Sequence, residues 1–294
     1  MEKSYPLVFQ TDSEIVNEYY SDSNNYLIEY DQSQSKEYCV IYSSSNDLYY
    51  PNTEIAFQES IIKKNRFEWY GNRVKYAHKH IFLRDLKKQW YLSGINQNIN
   101  SHEKLFSFLK KEVEGYKVLL LGSSAGGFNS ILLGQLLGAE RIYSFNGQFE
   151  ILSLLKQSNE NIDPLIFRNK DNPQLNLYFD TLNFIKEPSS IYYFHSLYNK
   201  WDSEQLAHVN NIQVNVVKFK TSNHGVPFLK SNLTKVLNMP VKDLNELVGK
   251  TFHPFTFSLK MVGIKNTISG LSTIAKFVLN KIYIKTFQKL KQHN

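Results

Sequence analysis

Residues 117–136 (Lys-Val-Leu-Leu-Leu-Gly-Ser-Ser-Ala-Gly-Gly-Phe-Asn-Ser-Ile-Leu-Leu-Gly-Gln-Leu) constrain this chain more than any other stretch. Val118–Leu121 is an unbroken apolar run, the pattern of a strand covered on both faces. Gly122-Ser-Ser-Ala-Gly126 follows, and then Phe128, Ile131, Leu132 and Leu136 recur at helical spacing. Strand, tight glycine-rich turn and helix, in that order, are the context of a G-x-S-x-G nucleophile elbow. The glycines flanking Ser124 suit a turn so sharp that strand and helix backbones leave no room for a Cβ. At its tip Ser124 Oγ is lifted from the sheet, beside the N–H donors that open the helix.

Two other glycine-rich turns join a strand to a helix. A P-loop needs G-x-x-x-x-G-K-[ST], and no Lys follows Gly127. A dinucleotide fingerprint needs G-x-G-x-x-G, and Ser124 stands at its second glycine. The stretch therefore predicts a nucleophile rather than a phosphate cradle.

Around the elbow, strand-like runs alternate with helical ones. Glu37–Tyr42, Ile81–Leu83, Arg141–Phe145, Ile191–His195 and Gln213–Phe219 read as strands, the last of these closing the series. Short strands are also expected at Pro6–Phe9 and Tyr26–Tyr30, and a short helix at Glu54–Lys63. Ser101 caps a helix over His102–Glu114 that Gly115 ends. The alternation predicts an α/β fold with a doubly wound, mostly parallel sheet. Residues 1–36 read as an N-terminal extension packed on the sheet, 37–240 as the catalytic domain, and 241–294 as a basic, amphipathic helical appendage. Within the domain, 148–190 carries Pro164, Pro173 and Pro188 and short helices, and reads as a lid-like insertion.

A serine nucleophile needs a base, and the base an orienting acid. Asp202 follows the 191–196 strand and His224 follows the 213–219 strand, so both are expected on loops at the sheet edge that carries Ser124. The chain order Ser, acid, His is one of the known triad orders. Glu204 is the nearest alternative acid, and Asp180 belongs to the insertion. His195 lies inside a strand, His208 on a following helix, and His78 and His80 precede the serine. Arg84-Asp85 with Trp90-Tyr91 would sit where strand ends open into a crevice. Arg84, Trp90 and Tyr91 are thus candidates to grip a polar substrate, or equally an Arg–Asp pair fixing a loop beside packed aromatics.

The elbow Gly122–Gly127, with Asp202 and His224-Gly225, resembles the α/β-hydrolases. More narrowly it resembles the hydrolase-fold O-acetyltransferases of bacterial surface-polysaccharide machinery, over roughly residues 37–235. That resemblance implies an acyl-serine intermediate on Ser124, with His224 as base and Asp202 orienting it. It also implies an oxyanion hole from the Ala125 N–H and a donor in the Ser43-Ser44 loop, and acetyl-CoA as co-substrate with no bound cofactor. The acceptor stays open. A glycan hydroxyl gives an acyltransferase and water gives an esterase; a non-catalytic interaction protein on the same fold is the third reading.

The single cysteine, Cys39, excludes an internal disulfide framework and reads as a small buried hydrophobe. No Cys/His cluster has zinc spacing. Met-Glu-Lys-Ser-Tyr-Pro does not begin a signal segment, and no run of about 18 apolar residues reads as a spanning helix, so the expectation is a cytoplasmic protein. Residues 242–294 hold nine Lys and two acids, a net +7 that equals the charge of the whole chain, so the remainder is neutral. In this tail Ile264, Ile268, Leu271, Ile274, Ala275, Val278, Leu279 and Ile282 share one broad helical face. Either that face packs on the domain or residues 252–294 attach the protein to an anionic membrane surface or a membrane-bound complex. Nucleic acid is not expected, because the tail lacks Arg and pairs its charge with a wide apolar face.

Overall fold

Residues 12–45, 53–160 and 163–272 are described by a computed structural model. Their strands are β1 (Tyr26–Tyr30), β2 (Tyr38–Ser43), β3 (Lys79–Leu83), β4 (Lys117–Ser123), β5 (Arg141–Phe145), β6 (Ile191–Ser196), β7 (Asn215–Phe219) and β8 (Thr251–Phe252). They form one sheet in the order β1-β3-β2-β4-β5-β6-β7-β8. Every neighbour pair is parallel except β1 against β3. The centre reads as apolar runs because both faces are covered. Val40, Tyr42, Leu119 and Leu121 enter one core, while Cys39, Ile41, Val118 and Leu120 enter the other.

The helices are α1 (Glu14–Asp22), α2 (Glu54–Phe57), α3 (His102–Glu112), α4 (Ala125–Leu137), α5 (Leu154–Gln157), α6 (Pro164–Arg168), α7 (Pro173–Asn176), α8 (Lys200–His208), α9 (Leu233–Leu237), α10 (Val241–Asn245) and α11 (254–272). α3 places Leu105 and Leu109, and α4 Ile131 and Leu133, on the second face; α9 to α11 close the first with Leu233, Val236, Leu244 and Phe257. Ser101 Oγ accepts from Lys104 N–H and so caps α3. The three prolines of the insertion each open a helical turn, where a missing N–H costs nothing.

One expectation changes. Gln213–Phe219 does not close the sheet: β8 pairs Thr251 with Lys218 and Phe252 with Phe219, so the sheet continues past residue 240. Two paired residues carry no periodicity, which is why no sequence pattern marks them. The strand expected at Tyr26–Tyr30 is present, as the antiparallel edge strand of the sheet. Pro6–Phe9 lies outside the described residues.

Candidate active site

Ser124 is the N-cap of α4 at φ 51° and ψ −126°. A non-glycine residue seldom holds a positive φ, and such strain concentrates where function needs it. The turn is enforced from both sides. A Cβ on Gly122 would overlap the Gly126 carbonyl, and one on Gly126 would overlap the Ser43 carbonyl oxygen. The end of β2 therefore lies directly against the start of α4. Ala125 is the first helical residue, so its N–H has no acceptor inside the helix.

His224 lies between the other two groups. Its Nε2 is 2.8 Å from Ser124 Oγ, and its Nδ1 is 2.7 Å from Asp202 Oδ1. A carboxylate only accepts, so Nδ1 carries the hydrogen, and Nε2 is free to accept from the serine hydroxyl. Asp202 is fully buried, whereas the His224 rim faces solvent. The expected loop for Asp202 is instead the first turn of α8, where the Asn199 side chain caps the Asp202 N–H at 3.1 Å. Glu204 points out to pair with Lys200 at 3.7 Å, and Asp180 bonds His208 at 2.9 Å. Neither reaches His224. His195 is buried in β6, and burial pushes its imidazole down to about 4.

Two supports of this arrangement escape sequence reasoning. Trp201, beside Asp202 on α8, stacks on the His224 ring at 5.6 Å between centroids. Asn146, buried at φ 46°, reads in sequence as part of a simple turn. Its Nδ2 donates to Gly225 O and Ser196 Oγ, each at 2.7 Å, and its Oδ1 accepts from Ser196 N–H at 2.8 Å. One amide thus ties the ends of β5 and β6 to the loop that carries His224. The one signal for it in the sequence is that Asn tolerates the left-handed region and bonds nearby backbone.

The remaining candidates divide. Ser43 ends β2 between Leu83 and Gly122, and its Oγ accepts from Asn129 at 3.0 Å. Ser44 Oγ and Ser45 N–H both donate to Glu68 Oε2, at 2.8 and 2.7 Å, so Glu68 holds this turn against α4. Tyr91 is fully buried and donates its hydroxyl to Ser44 O at 2.9 Å; it supports the same turn and does not face a substrate. Arg84 is only 2% exposed, donates from its two terminal nitrogens to Asn65 Oδ1, Arg66 O and Asn25 Oδ1, and lies 4.2 Å over the Phe67 ring. The expectation that Arg84 grips a substrate is corrected: tertiary packing has enclosed it. Nor does it pair with Asp85, whose carboxylate accepts from Gln89 and Tyr91 N–H at 2.9 Å and which burial raises to about 6. Trp90 is held by a bond from Nε1 to Gln148 Oε1 at 2.9 Å. It packs with Phe128, Leu132, Ile151, Ile166 and Phe179, with Ala125 and Trp201 at the margin of the cluster. The insertion therefore builds an apolar wall beside the elbow. Among the described residues no group of His, Cys, Asp and Glu is placed to hold a metal.

No protein-family model and no curated protein sequence matches the chain. Solved structures do. The capsule O-acetyltransferase of Neisseria meningitidis serogroup A is 14% identical, with a TM-score of 0.47 over 67% of this chain and 84% of that one. A structure of that enzyme with one histidine replaced by alanine is a complex with CoA. Esterase B from Lactobacillus rhamnosis is 12% identical over 92% of this chain and 91% of its own, with a TM-score of 0.40. A peroxisomal α/β-hydrolase from Saccharomyces cerevisiae is 10% identical over 92% and 90%, with a TM-score of 0.34. At such identities and TM-scores these are likenesses only, and they assign no chemistry to this chain. The fold itself is α/β: one mostly parallel sheet of eight strands among the described residues, with a C-terminal helix.

Proposed function

We propose that this protein is a serine acyltransferase that works through an acyl-enzyme on Ser124. The observation that carries the reading is the continuous pair of hydrogen bonds from Ser124 through His224 to Asp202. His224 Nε2 takes the hydroxyl proton as Ser124 Oγ attacks an acyl carbonyl carbon, and buried Asp202 stabilises the imidazolium. The Ala125 N–H and a donor from the Ser43-Ser44 turn receive the oxyanion; one such donor is typically worth about 10²–10³ in rate. Collapse expels the leaving group, which takes the proton from His224 Nε2 and leaves acyl-Ser124. An acceptor hydroxyl then gives its proton to His224 Nε2 and attacks the ester carbonyl, and collapse expels Ser124 Oγ, which takes that proton back from His224.

The donor and acceptor follow from the sequence resemblance at the elbow and His-Gly: acetyl-CoA as donor and a hydroxyl of a bacterial capsular or other surface polysaccharide as acceptor. The apolar cluster of Trp90, Phe128 and Phe179 lies to one side of the elbow, and the glycan-dependence of turnover decides between transfer and hydrolysis. The test is a fluorophosphonate probe followed by acetyl-CoA turnover with and without glycan. Wild type is labelled on Ser124, and Ser124→Ala is neither labelled nor active. Acetyl-CoA consumption that needs glycan marks the transferase. Hydrolysis of small acetyl esters with no response to glycan marks an esterase. An unlabelled wild type overturns the catalytic reading.

A further inference from the structure

Helix α11 is turned inside out over its second half. Up to Met261 it behaves as a surface helix should. Phe257 is buried against Phe219 and Phe228, Ser258 is buried and accepts from Asn232, and Met261 packs on the same core. Gly263 then holds φ +75°, far from any helical value, and the helical phase breaks there. In an unbroken helix Phe257, Met261, Ile264, Ile268 and Leu271, three and four apart, would share one core-facing stripe. Instead Thr267 is fully buried, and Gly270 comes so near the body that a Cβ would stand 2.8 Å from Ser231 Oγ. The small and polar side faces the protein. Ile264, Ile268 and Leu271 face away from it, at 69%, 57% and 39% exposure.

Three large aliphatic side chains in one outward stripe are unfavourable against water alone, so the stripe implies an apolar layer on its outer side. Charge names that layer. The lysine excess of the entire chain lies in residues 242–294, and Lys260 and Lys265 of α11 are both exposed. Beyond the described residues the sequence repeats the spacing with Ala275, Val278 and Ile282, interleaved with Lys276, Lys281 and Lys285. No helix among the described residues is long and apolar enough to cross a membrane.

We propose that the outer face of α11 docks on an anionic lipid surface, with Ile264, Ile268 and Leu271 entering the interfacial layer and the lysines meeting the headgroups. This surface is independent of the acyl-transfer chemistry.

The test is co-sedimentation of the full chain with vesicles of phosphatidylglycerol and phosphatidylcholine, and with vesicles of phosphatidylcholine alone, at low and high salt. Because Ile264 and Ile268 are exposed, Ile264→Glu/Ile268→Glu keeps its circular dichroism and melting temperature. Wild type is expected to sediment with the anionic vesicles and to be released by salt. The double variant is expected to lose about tenfold or more in partitioning. Absence of binding at low salt overturns the proposal, as does equal binding to neutral vesicles or equal binding by the double variant. A wild-type dimer that the double variant dissolves, with no vesicle binding, assigns the face to a second copy of the chain and also overturns it.

Discussion

The Trp201 indole lies over the His224 imidazole, with ring centroids 5.6 Å apart and planes inclined by 27°. One turn of α8 thus supplies both the carboxylate at His224 Nδ1 and an aromatic face across the ring. In the proposed mechanism the imidazole becomes a cation, and an aromatic face attracts a cation by about 0.5–2 kcal/mol. Trp201→Ala should therefore lower kcat/KM by about threefold to thirtyfold, while Trp201→Phe keeps most of it. Steady-state kinetics on a small acetyl ester check this; equal rates for Trp201→Ala and wild type would leave the stack as packing only.

Asp202→Asn should retain the fold and lose about 10⁴ in turnover, because an amide can hold the wrong imidazole tautomer. Glu204→Gln, which removes only an exposed pair with Lys200, should change turnover by less than about twofold. Parallel single-turnover measurements separate the two, and a large loss in Glu204→Gln would contradict the assignment of the acid.

Gly126→Ala drives a methyl group into the Ser43 carbonyl, so either β2 or α4 must move. The expected loss is about 1–3 kcal/mol of stability, together with activity, since the turn to which the proposed mechanism assigns an oxyanion donor is displaced. Gly71→Ala meets nothing within 4 Å and should stay within about 0.5 kcal/mol of wild type. Urea unfolding of both variants is the measurement.

His102 is fully buried, packs against the tilted Tyr178 ring with centroids 5.0 Å apart, and has no hydrogen bond to either ring nitrogen among the described residues. Burial lowers it to about 4, with Glu103 opposing, and burial brings His80 and His195 to about 4 as well. Each of these histidines binds a proton near pH 6.5 when unfolded, so between about pH 6.5 and 4 the unfolded chain binds more protons. Stability therefore falls as pH falls through that window, by up to about 1.4 kcal/mol per pH unit for each histidine. Asp85 opposes this, since burial raises it to about 6 and the folded protein gains its proton first. Three groups outweigh one. His102→Phe should flatten the acid limb of melting temperature against pH, and an unchanged slope would contradict the assignment.

The sequence alone determined the parts that depend on neighbours along the chain. The elbow at Ser124, the strands on either side of it and the cap at Ser101 are local: apolar runs, glycines at a forced turn and a hydroxyl at a helix start act within a few residues. The order of Ser124, Asp202 and His224 was legible for a related reason. Each follows a strand, and parallel strands deliver their carboxyl ends to one edge. Only the tertiary structure decided what those ends meet. Arg84 and Trp90 look alike as polar-aromatic candidates in sequence, yet packing against Phe67 encloses one and leaves the other beside the elbow. Glu68 reaches Ser44 and Ser45 across 23 or more residues, and Asn146 reaches Gly225 across 79, separations over which no periodicity extends. The tail shows the division most plainly. Its sequence spaces Phe257, Met261, Ile264, Ile268 and Leu271 for a single face, but a positive φ at Gly263 parts that face, burying its first half and turning the second outward.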